Sequence, residues 1–258
     1  MAQLGMPSVI ISFNEAGIAA IERSKRGIVA LILEEEAGTI SSLANPFTVY
    51  TTDDIPESLS ENNRDYITKC LLGYVTTPYR VKVYLQAKTE EPATATKWDA
   101  TLKKMATDRW DYLAIPTIET VSIETVQTWI KTNRENKYKK VKAVLPGADA
   151  DYEGIINFSN TTIKTATKTY TPAEYTARIA GLLAGTPMTI SATYAPLSEV
   201  IDCDKYDLDE NDEKVNAGEF FIWYDGEKYK MSRAVNSLVT NAQGKQEGYQ
   251  TIKIIDIM

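Results

Sequence analysis

Histidine is absent from all 258 residues. That absence removes Ser-His-Asp and Cys-His triads, His-ligated zinc and imidazole proton shuttles from the chemistry of this chain. Cysteine is scarce: Cys70 and Cys203 are far apart and form no CxxC motif. Neither a metal knuckle nor a redox pair is indicated, and two reduced thiols are expected. Basic charge is outnumbered, with 28 Lys and Arg against 35 Asp and Glu, a net charge of −7. Broad contact with nucleic-acid phosphates needs a basic face, so no nucleic-acid partner is expected. There is no GxxxxGK[ST] and no GxGxxG after a strand, hence no ready backbone cradle for a nucleotide cofactor. No apolar run approaches the roughly 18 residues that span a bilayer. Residues 1–7 lack a positive leader, so cytoplasmic synthesis without Sec-type export or membrane insertion is expected.

What is present is an ordinary globular mixture, 43% hydrophobic and 24% charged, long enough for a sizeable core. From Gly27 to about Tyr194, short Val/Ile/Leu runs alternate with amphipathic stretches. Strands are expected at 28–33, 48–50, 80–85, 112–115, 141–145 and 155–158, and helices at 61–72, 97–107, 123–133 and 172–184. Apolar strands separated by covering helices imply an α/β fold with a largely parallel sheet and right-handed crossovers. The 172–184 helix has the clearest local grammar: Thr171 to cap, Pro172 at the first helical position, Glu174 closing a capping box, and Gly185 with Pro187 ending it. Ala177, Ala180, Gly181 and Ala184 lie at three- and four-residue spacing, so another element is expected to pack unusually close. Gly181 costs about 1 kcal/mol of helix propensity relative to alanine, and closeness is the reason to keep it.

After Pro196 the texture changes. Residues 202–213 are densely acidic, and Asp207, Asp209 and Asn211 match the opening ligand positions of a calcium-binding EF-hand loop. Asp212 stands where that loop needs glycine, Gly218 stands where it needs a bidentate glutamate, and Glu219 comes one residue late, so a solvated acidic loop is expected instead. An aromatic strand over 218–224 leads through an Asp225-Gly226 turn into strands at 228–231 and 233–239. The apolar run Ile252–Met258 ends without a stop signal, and a C-terminally truncated chain is expected. The loop Pro146-Gly-Ala-Asp149 lies where an α/β sheet can hold a ligand, though turns have this composition too. Asp53 and Asp54 form one of many chance carboxylate pairs, and the basic runs Lys139-Lys140 and Arg23-Ser-Lys-Arg26 read as surface faces. At the terminus, Val9, Ile11 and Phe13 fall on one side of a short β-prone segment. Periodicity alone favours an ordinary first strand over an arm that pairs with another molecule.

The runs Ala180-Gly-Leu-Leu-Ala-Gly-Thr-Pro187, Ser191-Ala-Thr-Tyr194, Gly218-Glu-Phe220, Tyr224-Asp225 and Ser232-Arg-Ala-Val-Asn-Ser-Leu-Val-Thr240, with Arg26-Gly-Ile-Val-Ala30, resemble tail sheath proteins of contractile phage tails. The prophage and tail-like bacteriocin kind of Gram-positive bacteria is nearest. The resemblance runs from about residue 6 to the end. It implies an N-terminal arm and linker (1–26), a subtilisin-like (flavodoxin-like) α/β sheath domain (27–195) and an incomplete α+β C-terminal domain (196–258). It implies no catalytic residue, cofactor or metal. The implied role is a virion structural subunit that polymerises helically around the tail tube and contracts to drive the tube through a cell envelope. The implied partners are further copies of the chain, the tube protein, the baseplate and the tail terminator, with assembly in the host cytoplasm. Sheath extensions add strands to neighbouring subunits, so Val9, Ile11 and Phe13 are the expected arm contacts. Phe220, Ile222, Tyr224, Arg233, Val235 and Val239 form the expected acceptor region. The competing expectation is a small-molecule-binding or hydrolytic α/β enzyme using carboxylate chemistry, which requires an enclosed pocket at the strand C-termini.

Overall fold

Residues 27–89, 92–187 and 189–240 are described by a computed structural model; Val9, Ile11 and Phe13 lie outside them. The described residues begin with β1 (Ile28–Glu35), whose unbroken apolar run suits a strand covered on both faces. A short helix α1 (Ala37–Ser42), strand β2 (Phe47–Val49), α2 (Glu61–Leu71) and β3 (Arg80–Ala87) follow. Next come α3 (Asp99–Met105), β4 (Tyr112–Ala114), α4 (Thr120–Asn136), β5 (Lys142–Pro146) and β6 (Ile155–Phe158). The remainder comprises β7 (Ile163–Thr165), β8 (Thr169–Tyr170), α5 (Pro172–Ala184), β9 (Val200–Cys203), α6 (Leu208–Asn216), β10 (Glu219–Phe220), β11 (Ile222–Tyr224) and β12 (Tyr229–Met231).

Seven strands form the central sheet in the order β10-β6-β5-β4-β1-β3-β2. Every neighbouring pair is parallel except β2 with β3. The mixed α/β architecture with a largely parallel sheet is therefore as the alternation predicts. Strand pleating sorts the core into two layers. Val29, Leu31 and Leu33 face one layer with α2 and α5, while Ile28, Ala30 and Ile32 face the other with α3 and α4. From β1 the chain steps outward to β3 through α2, then back across β1 to β4 and β5 through α3 and α4. Direction and face reverse together, so the crossovers keep one hand.

The α5 cap forms as its sequence dictates: Thr171 Oγ1 accepts from the Glu174 amide and Glu174 accepts from the Thr171 amide at 2.8 Å. The small-residue spacing also does what it predicts. A Cβ built on Gly181 would lie 1.9 Å from the Cys70 carbonyl oxygen, so α5 meets α2 backbone to side-chain-less backbone. Arg178, on the same helix, is buried with its guanidinium on Glu199 at 2.5 Å and the Gly73 carbonyl at 2.7 Å.

Three local expectations are corrected. Residues 207–216 are a capped helix, not a loop: Asp207 accepts from the Glu210 amide and Glu210 returns the bond, a capping box written in acidic residues. The 218–224 strand is split at Phe221, because β10 joins β6 in the main sheet while β11 turns away to pair with β12. The stretch 233–239 is not a strand; its backbone is held instead by bonds to distant segments, with the Ser237 amide on the Ile155 carbonyl and the Val239 and Thr240 amides on Asp151. The small sheet β8-β7-β9 has too few residues per strand to show a period.

Candidate assembly surface

In open α/β sheets a ligand sits outside the carboxyl ends of the strands, where the strand order reverses. Here that place lies between β1 and β4, and it is filled by the protein's own side chains. Lys97 points across it, 2.9 Å from Glu34 at the end of β1 and in contact with Glu119 beyond β4. Burial alone would lower the Lys97 pKa, but the two carboxylates outweigh it and raise it. The Lys97 carbonyl accepts from Gln86, Thr101 donates to the same amide group, and Ser122 donates to the Thr94 carbonyl, pinning the 94–98 segment over the crevice. Beside it, Glu35 accepts from the Ser60 amide at 2.8 Å and from Asn63 at 2.9 Å; these bonds overcome the effect of burial and hold its carboxyl below the ordinary value. The Pro146–Asp149 segment is a turn, closed by the Gly147 amide on the Phe158 carbonyl and the Ala148 amide on Asn157. Among the described residues, no cluster of acidic and cysteine side chains is arranged to hold a metal ion. Both thiols are buried, and burial pushes the Cys203 pKa up to about 12, so neither is a poised nucleophile.

The expected acceptor region is built at the other side of the sheet. Phe220 is fully buried where β10 completes the β6 edge. Ile222 is fully buried as well, and Asn160 clasps it from both sides, accepting from its amide at 2.6 Å and donating to its carbonyl at 3.0 Å. Ser232 exchanges bonds with Phe221, and its amide reaches the Phe221 carbonyl at 2.7 Å. The β11–β12 hairpin turns at Asp225, whose carboxylate accepts from the Glu227 and Lys228 amides and pairs with Lys230. Those bonds hold the Asp225 carboxyl far below its ordinary value. Tyr224, Arg233 and Val239 reach the surface, whereas Val235 is buried beneath them. Of the expected acceptor residues, Phe220, Ile222 and Val235 are therefore buried, and Tyr224, Arg233 and Val239 are exposed.

Two side chains of this region escape a reading by period or motif. Leu208 opens the acidic helix α6 yet is 74% exposed, and Tyr194 holds a left-handed backbone at φ 59° with 57% exposure. Together with Trp223 and Arg233 they line a groove of about 400 Å³ against α6. An Asn-free, Gly-free left-handed position was the one available signal, and it is a feature of conformation, not of composition.

The crevice is crossed by Lys97, the sheet is extended by the chain's own late strand β10, and a groove of mixed polar and apolar lining lies outside it, so the fold is that of an α/β protein with a largely parallel sheet. Residues 91–237 match the family described as phage tail sheath protein central domain. The chain is 36% identical over 256 residues to the tail sheath protein of Clostridium phage phiCD119, covering 98% of this chain and 68% of that protein. Two Bacillus subtilis relatives are matched over 39% and 34% of their own length. Among solved structures, the sheath tail protein Lin1278 from Listeria innocua superposes with a TM-score of 0.77 at 17% identity, over 93% of this chain and 76% of that one. The helical sheath of the anti-feeding prophage in its contracted state gives 0.63 at 10% identity, over 89% and 66%. The chain belongs to the phage tail sheath protein family, and its role is structural, not enzymatic. No helix among the described residues is long and apolar enough to cross a membrane.

Proposed function

We propose that this chain is a subunit of a contractile tail sheath that polymerises helically around a tail tube and shortens to drive the tube through a cell envelope. Membership of the sheath family, over nearly the whole chain, carries this reading. Within residues 27–195 the five parallel strands fall in the order second, first, third, fourth, fifth, which supports the subtilisin-like (flavodoxin-like) description of that span. Residues 196–258 supply the C-terminal layer and 1–26 the arm. Val9, Ile11 and Phe13 pair with the surface bearing Tyr224, Arg233 and Val239 on the next copy, with Phe220, Ile222 and Val235 giving that surface a rigid floor. Backbone hydrogen bonds supply affinity whatever the side chains, and the alternating apolar residues set register. A head-to-tail contact that does not close generates an open helix. The tube, baseplate and terminator are its further partners, assembled in the host cytoplasm, and contraction moves subunits as rigid bodies joined by these arms.

Negative-stain microscopy of the full chain beside a chain lacking residues 1–14 tests the arm. Helical tubes or short stacks are expected from the first and dispersed monomers from the second; tubes of equal length from both reject the arm.

A further inference from the structure

The groove against α6 is unfinished in a single copy. Its wall includes Trp223 and Asn211, and the Trp223 Nε1 donor and the Asn211 Oδ1 acceptor are buried with no hydrogen-bond partner among the described residues. Such groups cost stability until something pairs with them. The carboxylate of Asp212 lines the groove, and Asp209 and Glu213 are exposed on the same helix. It therefore suits an incoming aromatic side chain that carries a hydroxyl and is flanked by positive charge.

The same chain presents that group elsewhere. Past the end of α4, Tyr138 stands 82% exposed on a left-handed backbone, φ 55°, between Lys137 and the Lys139-Lys140 pair. Lys139 is anchored to the Ala106 carbonyl, which fixes the base of the loop, while Lys137 and Lys140 remain exposed. An exposed tyrosine in a conformation that non-glycine residues seldom adopt is a presented side chain, not a packed one. The knob lies just before β5, at the amino ends of the parallel strands. The groove lies past the carboxyl end of β6, beside the Asn160 clasp. Opposite ends of one sheet cannot meet within one molecule.

We propose that Tyr138 of one copy inserts into the Tyr194–Leu208–Trp223 groove of the next, with Lys137 and Lys140 opposite Asp209 and Asp212. The inserted ring would pack against the wall that holds Trp223 and Asn211. The contact is heterologous and does not close, as an open helix requires, and charge complementarity sets its register. This contact rests on the sheath reading and is separate from the arm.

The test places p-benzoylphenylalanine at 138 of the full chain, with Val121 on α4, also exposed, as the control position. Photocrosslinks from 138 mapping to residues 208–223 of another copy, and none there from 121, are expected. K137E/K140E should weaken self-association about tenfold, and adding D209K/D212K to the same chain should restore it. Tubes that form normally without a 138–208 crosslink overturn the contact and leave the sheath reading standing. A chain that neither associates nor crosslinks overturns the proposed self-assembly of this chain and this contact with it.

Discussion

Arg178 and Glu199 show how much depends on one buried pair. The guanidinium is buried, and Glu199 also accepts from the Tyr175 hydroxyl at 3.0 Å. Burial pushes the Glu199 carboxyl up, but the Arg178 charge and its hydrogen bonds more than offset this, so its pKa lies below the ordinary value. Removing one partner strands the other: Arg178→Met should cost about 3–5 kcal/mol in urea unfolding at neutral pH. Glu35, Glu174 and Glu199 all have lowered pKa values in the folded chain. Their stabilisation is complete above the ordinary glutamate range and is lost as pH falls through the lowered values. The melting temperature should therefore decline as the pH is taken below about 4.5, and the decline should be shallower in the Arg178→Met chain, which has less to lose. Asn160 is a second such residue. Asn160→Ala takes the partner from the buried Ile222 amide and leaves its carbonyl only the weak Cys203 thiol donor, and should cost about 1–3 kcal/mol by the same measurement.

Helix packing sets the next level. The α5–α2 contact is a place where helix propensity and packing oppose each other. Alanine at Gly181 gains up to about 1 kcal/mol of propensity, but its methyl would lie 1.9 Å from the Cys70 carbonyl. Forcing the helices apart costs about 1–3 kcal/mol or more, so Gly181→Ala should be destabilising in chemical denaturation. Gly38, in α1, has nothing within 4 Å of an added Cβ, and Gly38→Ala should be neutral or stabilising. If both substitutions moved stability the same way, close packing would not be the reason for Gly181. The acidic helix α6 teaches a related lesson. Its capping box is legible in Asp207 and Glu210, yet its lack of any buried residue leaves no apolar period to read, and composition alone favours a loop.

The whole molecule joins the late strands to the early ones. Leu197, Val200, Phe220, Ile222 and Met231 share one apolar cluster with β1, α2 and α5. The C-terminal layer and the α/β layer should thus unfold as one cooperative unit. Far-ultraviolet circular dichroism and tryptophan fluorescence of the full chain are expected to give coincident urea transitions. Separate midpoints would mark two independently stable parts.

The central sheet was legible because buried strands write themselves as apolar runs: 155–158 and the helix 172–184 are bounded by their own residues, through turn, cap and small-side-chain spacing. The chain's membership of the sheath family was legible too, in the runs around 180–194 and 218–240. Tertiary structure decided the rest, because the forces involved act between residues distant in the chain. Phe220 joins β6 because that sheet edge offers unpaired backbone groups, and Lys97 closes the crevice because Glu34 from β1 and Glu119 from the start of α4 converge there. The groove beside Trp223 exists only once α6, β11 and residues 232–233 are brought together, a shape that no local period encodes.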